Sequence, residues 1–241
     1  MRVFWSIVWG ILTFATMYIT ILYYIPILTR RAHVVEHEAL ADVKDRGSVI
    51  EKKLASGILM PRRFDIALIL VATCIAIWCG YVASGHASSM FSMLKMTLAM
   101  SVLSCTFITD MKLLLIPNMC SVILVIGRVL TIVAEFIMLG QDAIAWMISS
   151  LIVVVATLLL LAILSRLSQG GLGMGDVKIY SSLGFLCGLR AVCFTLMFSF
   201  LLCAIVSTIL LLSRRKKLHD YLPLGPFIWV GYCSAVLLSV L

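Results

Sequence analysis

The sequence predicts an all-α fold, a polytopic membrane bundle of about eight transmembrane helices. Three observations carry this expectation. The 241 residues are 63% hydrophobic and 12% charged, whereas a soluble domain has roughly 45–50% apolar and about 25% charged residues. Uncharged apolar runs recur along the chain at about the 20-residue length that crosses a bilayer core. The basic residues, 19 against 11 acidic, crowd into alternate connecting segments. With a mean hydropathy of +1.14, a water-soluble globule of this size is excluded. Disorder is excluded too, because the chain is neither polar nor densely charged.

The first run, Val3 to Leu28, carries no charge. A cleaved secretory signal has an apolar stretch of only about 7–15 residues and a small-residue cleavage site, so residues 1–28 are read as a retained first span. Residues 29–65 form a loop, and residues 66–241 a seven-helix core. Within that core the spans are expected at about 66–83, 90–109, 118–139, 143–164, 190–212 and 226–241. A weaker stretch at about 176–189, interrupted by Gly184 and Gly188, is short for a span. Counting it gives eight.

An eight-span weave places 15 of the 19 basic residues on one side, in the 29–65 loop, at Lys112, Arg166 and Lys178, and in Arg214, Arg215, Lys216 and Lys217. Only Arg2, Lys95, Arg128 and Arg190 fall elsewhere. The positive-inside rule then puts the loop in the cytoplasm and both termini outside. The 214–217 run reads better as a topology signal than as an anionic-lipid site. Apolar residues among the charges of the loop, such as Val35, Leu40, Ile50 and Leu54, fit short amphipathic helices or a plain tether equally well.

The eight cysteines, at 74, 79, 105, 120, 187, 193, 203 and 233, form no C-x-x-C pair and lie in or beside apolar stretches. They read as small packing hydrophobes. No disulfide framework, metal site or cofactor is expected from them. Lipid is the expected surrounding, with no nucleic acid as partner.

Ionisable groups inside spans cost roughly 2.5–3.5 kcal/mol at the bilayer centre, so each needs a reason. Arg128 and Glu135, seven residues apart on one helical face, suit a structural ion pair better than a substrate contact. Asp142 and His86 read as solvated in short external loops.

Two acidic residues remain at cytoplasmic span ends. Asp110 lies in Thr109-Asp110-Met111-Lys112, just before Ile116-Pro117-Asn118. Asp176 closes the turn Gly170-Gly171-Leu172-Gly173-Met174-Gly175-Asp176-Val177-Lys178. Lys112 and Lys178 each stand two residues beyond an Asp, a spacing that does not face it on a helix. They are expected to snorkel to the headgroups.

Two carboxylates brought close share one proton, because each charge opposes ionisation of the other. The ionised member can draw a proton from water while the protonated one hydrogen-bonds the peptide carbonyl under attack. Gly173 and Gly175 would let substrate backbone approach. Each Asp alone would read as a helix cap or a solvated interface residue. The combination points to chemistry.

These residues resemble the type IV prepilin peptidases, G-x-G-D intramembrane-type aspartyl proteases. Gly173-Met174-Gly175-Asp176 matches their signature, continued by Val177-Lys178. Asp110 with Ile116-Pro117-Asn118 is similar to the segment of their first catalytic aspartate. Pro223-Leu224-Gly225-Pro226-Phe227 looks like the P-x-G-P-F that opens their last helix. The resemblance covers about residues 60–241. It implies Asp110 and Asp176 as the catalytic pair, with Gly173, Gly175, Lys112, Lys178, Pro117 and Asn118 as motif support and no assigned substrate-binding residue. It further implies prepilins or pseudopilins as substrates, pilus or secretion assembly proteins as further partners, and the bacterial inner membrane as location.

One departure matters. Larger members carry two C-x-x-C pairs in the first cytoplasmic loop, linked to zinc and to N-methylation of the new terminus. Residues 29–65 contain no Cys, so a form that cleaves without methylating is expected. Asp65 and Asp142 are expected to be dispensable. The reading from another class is a transporter using Asp110 and Asp176 as a proton relay, which would predict internal repeats and broken helices near the midplane.

Overall fold

In hydrocarbon every backbone polar group must be bonded within the chain, and apolar runs of this kind satisfy that as helices. The computed structural model describes residues 2–25, 62–86, 89–113, 115–167, 172–213 and 222–238. Among them are eight helices and no strand. Helix α1 (Arg2–Ile19) runs on through a π turn, Thr20–Tyr24. It is followed by α2 (Arg62–His86), α3 (Met90–Leu113), α4 (Asn118–Leu139), α5 (Asp142–Leu167), α6 (Met174–Cys187), α7 (Leu189–Leu212) and α8 (Gly225–Leu237). Of the loop at 29–65, residues 29–61 lie outside the described residues, as do Gly170, Gly171 and the 214–217 run.

Six of these helices are long and apolar enough to cross a membrane. The weak sixth stretch is helical, but α6 has only 14 residues and α8 only 13. At 1.5 Å per residue each covers about 20 Å, short of the roughly 30 Å hydrocarbon core. The protein is therefore a polytopic membrane bundle, with six full-length helices and two short ones among the described residues. Gly188, with φ of 91°, separates α6 from α7 by a single residue. A side chain would strain that backbone. Pro117 precedes α4 and Pro226 lies in the first turn of α8, where a missing N–H costs nothing.

Helix α3 is the axis. Of its apolar window 61% is buried, against 11% for α7, which faces outward. Interior polar groups on α3 are matched by its neighbours. Trp9 of α1 donates from Nε1 to Thr97 Oγ1 at 2.8 Å, and Trp229 of α8 donates to Ser104 Oγ at 3.1 Å. Tyr232 of α8 donates to the Met96 carbonyl at 3.1 Å. Lipid tails give helices no hydrophobic drive to associate, so packing and such bonds, at about 0.6 kcal/mol each on average, hold the bundle. Short α6 survives because it is interior, burying Val177, Ile179, Tyr180, Leu183 and Leu186.

The ion pair expected within α4 is present, with Arg128 Nη1 3.1 Å from Glu135 Oε2. It is larger than its two residues. Lys95 of α3 bonds Glu135 Oε1 at 2.8 Å, and Arg128 also donates to Ser150 Oγ of α5 at 2.7 Å.

Candidate active site

Asp110 stands in the last turn of α3 and Asp176 in the first turn of α6. The two helices pack so that the carboxylates interact electrostatically. Asp110 is 6% exposed, and its Oδ2 accepts the backbone N–H of Gly225 at 2.5 Å. The Leu224 backbone adds a further bond. These donors belong to the start of α8, where the first turn leaves N–H groups without helical partners. A buried carboxylate satisfies such orphans and benefits from the positive end of the helix.

Residue 225 has to be glycine. A Cβ there would lie 2.7 Å from Asp110 Cβ and 3.0 Å from both Asp110 Oδ2 and the Thr106 carbonyl. The P-L-G-P-F segment is therefore a wall of the site, a role that its sequence position did not reveal.

Asp176 is the third residue of α6 after the Gly173 cap, and its carboxylate bonds back to the Gly173 backbone. This is the half of a capping box in which an N3 acid reaches back to the N-cap backbone. A Cβ on residue 173 would meet Asp176 Oδ2 at 2.9 Å. The second glycine of the signature serves another neighbour. At Gly175 a Cβ would sit 3.2 Å from Ile116 Cβ, so the I-P-N segment packs directly on the turn. Ser165 Oγ, near the end of α5, donates to the Leu172 carbonyl at 2.7 Å and ties down the approach to the turn.

Both lysines named as motif support have polar partners. Lys178 Nζ donates to Asn118 Oδ1 at 3.1 Å, joining α6 to the start of α4 behind buried Pro117. Lys112 pairs with Asp65 Oδ2 of α2 at 2.8 Å, both side chains only 10% exposed. Lys112 is thus held by Asp65 rather than free to extend. Nearly buried Lys112 needs such a partner, whereas Lys178 and Asn118 meet at the exposed surface. Asp65, expected to be dispensable, is the partner of Lys112. Among the described residues no group of three His, Cys, Asp or Glu side chains is placed to hold a metal ion.

Three ordered motifs, far apart in the chain, therefore meet around one pair of carboxylates. Comparison with known proteins agrees with the resemblance read from them. Residues 97–208 match the model of the type IV leader peptidase family. The chain is 28% identical over 140 residues to the prepilin leader peptidase/N-methyltransferase of Bacillus subtilis (strain 168), which covers 57% of this chain and 52% of that protein. It thus spans about half the length of the curated relative it matches. No solved structure gives a significant match.

Proposed function

We propose that this chain, whose residues 97–208 match the type IV leader peptidase family, is a membrane aspartic endopeptidase that removes the basic leader of prepilins or pseudopilins. The observation that carries the proposal is the pairing of Asp110 with Asp176 across two helices, each carboxylate anchored by backbone. Like charges at close range favour a single shared proton. The Gly225 N–H holds the Asp110 carboxyl in place through Oδ2. The ionised member takes a proton from the attacking water. The protonated member hydrogen-bonds the scissile carbonyl and stabilises the oxyanion as it forms.

The site lies at the end of α3 that the positive-inside rule assigns to the cytoplasm. A pilin helix in the bilayer would present its leader junction at that interface, so we place the cleavage at the cytoplasmic face of the inner membrane. The division into a first helix, a reduced loop at 29–65 and a peptidase core at 66–241 follows the same reading. With no Cys in residues 29–65, the reaction ends at cleavage, without N-methylation.

The test is purified protein incubated with a prepilin and S-adenosylmethionine, followed by mass spectrometry of the products. The expected product is a mature pilin with a free amine, formed equally well with a chelator present. A methylated product would contradict the peptidase-only form. Absence of any cleavage would contradict the function itself and favour the relay of a transporter.

A further inference from the structure

The four basic residues outside the cytoplasmic set do not scatter. Three of them, Lys95, Arg128 and Arg190, line one cavity of about 710 Å³ between α3, α4, α5 and the α6–α7 junction. Residue 95 lies 15 positions before Asp110 on α3, roughly 22 Å along a helix axis, so this cavity is at the end of the bundle opposite the carboxylate pair. Its volume falls within the range of roughly 300–1,000 Å³ typical of small-molecule sites.

Its charge is not balanced from within. Glu135 bonds both Lys95 and Arg128, and is the only acidic side chain at the cavity among those described. Arg190 is exposed and has no ion-pair partner among the described residues. Among the described side chains the surplus is two positive charges. Cations at the ends of membrane helices ordinarily pair. Arg190 also occupies the first turn of α7, the helix end where a cation is disfavoured and an anion favoured. An anion in the cavity would relieve both conflicts.

The rim points to the anion's source. Trp146 and Ile152 line the cavity and are 64% and 63% exposed, an apolar surface suited to acyl chains beside a basic floor. We propose that this cavity binds the phosphate headgroup of an anionic phospholipid, with its acyl chains along Trp146 and Ile152. Arg190 and Lys95 supply the charge-assisted hydrogen bonds. Arg128, 2% exposed and bonded to Glu135 and Ser150, adds charge from behind.

Native mass spectrometry of the purified full-length chain tests this independently of any peptidase activity. The detergent-released protein, preincubated with phosphatidylglycerol or phosphatidylcholine, should retain the anionic lipid about tenfold better, as one charge-assisted contact would give. Arg190→Gln, an exposed change that spares the Glu135 network, should reduce that preference severalfold. Arg166→Gln at the opposite end of α5 should leave it intact. Equal retention of the two lipids, or an Arg190→Gln protein with unchanged preference, would overturn the proposal. Displacement of phosphatidylglycerol by millimolar inorganic phosphate would also overturn it, reassigning the cavity to a free anion.

Discussion

At residue 225 a hydrogen atom in place of a methyl group lets α8 reach Asp110. The backbone N–H that bonds the carboxylate and the missing Cβ that would collide with it are consequences of one close approach. Gly225→Ala should therefore push Asp110 out of register with Asp176 while leaving α8 helical. Small displacements of a reacting group can cost on the order of 100-fold. A prepilin cleavage assay at matched membrane expression should show a loss of that order. Full activity in the alanine variant would mean that the contact does not position the carboxylate. The two glycines of the signature divide their work in the same way, residue 173 making room for Asp176 and residue 175 for Ile116.

Between elements, the Lys112–Asp65 pair ties α2 to the end of α3 that carries Asp110. With both side chains nearly buried, removing one partner strands a charge, a change that typically costs about 3–5 kcal/mol, whereas replacing both with apolar residues is far milder. Asp65→Asn should lower the unfolding temperature and weaken cleavage, and Asp65→Leu combined with Lys112→Met should restore most of the stability. Thermal unfolding in detergent would show it; a fully stable Asp65→Asn protein would contradict the tie. The spans were legible in sequence because hydropathy and length are properties of contiguous residues. Asp110, Asp176 and the Arg128–Glu135 pair were legible because charge stands out against an apolar run. The partner of Lys112 was not, since Asp65 is 47 residues away, nor was that of Asp110, with Gly225 115 residues away. Such contacts follow from helix packing. The shortness of α6 was visible in its glycines, but its buried position at the centre was not.

For the whole molecule, the distribution of basic residues and the placement of the site make a joint claim about sidedness. Reporter fusions near Lys52 and after Lys217 should read cytoplasmic and one near His86 external. Residues 52 and 217 on opposite sides would break the weave, with short α6 the first suspect. The fold brings Asp110 at the end of α3 and Asp176 at the start of α6 together and packs the start of α8 on Asp110, so chemistry here belongs to the assembled bundle. The central claim is that Asp110 and Asp176 act as one unit, and it is tested most directly by replacing each with Asn, singly and together. A correctly paired acid and base contribute roughly 100- to 10,000-fold, and groups that work together lose most of their effect at the first substitution. The measurement is cleavage rate on a prepilin at equal membrane expression. Each single variant should fall by about that factor, the double variant little further, and an Asp176→Asn protein that cleaves at the wild-type rate would contradict the account.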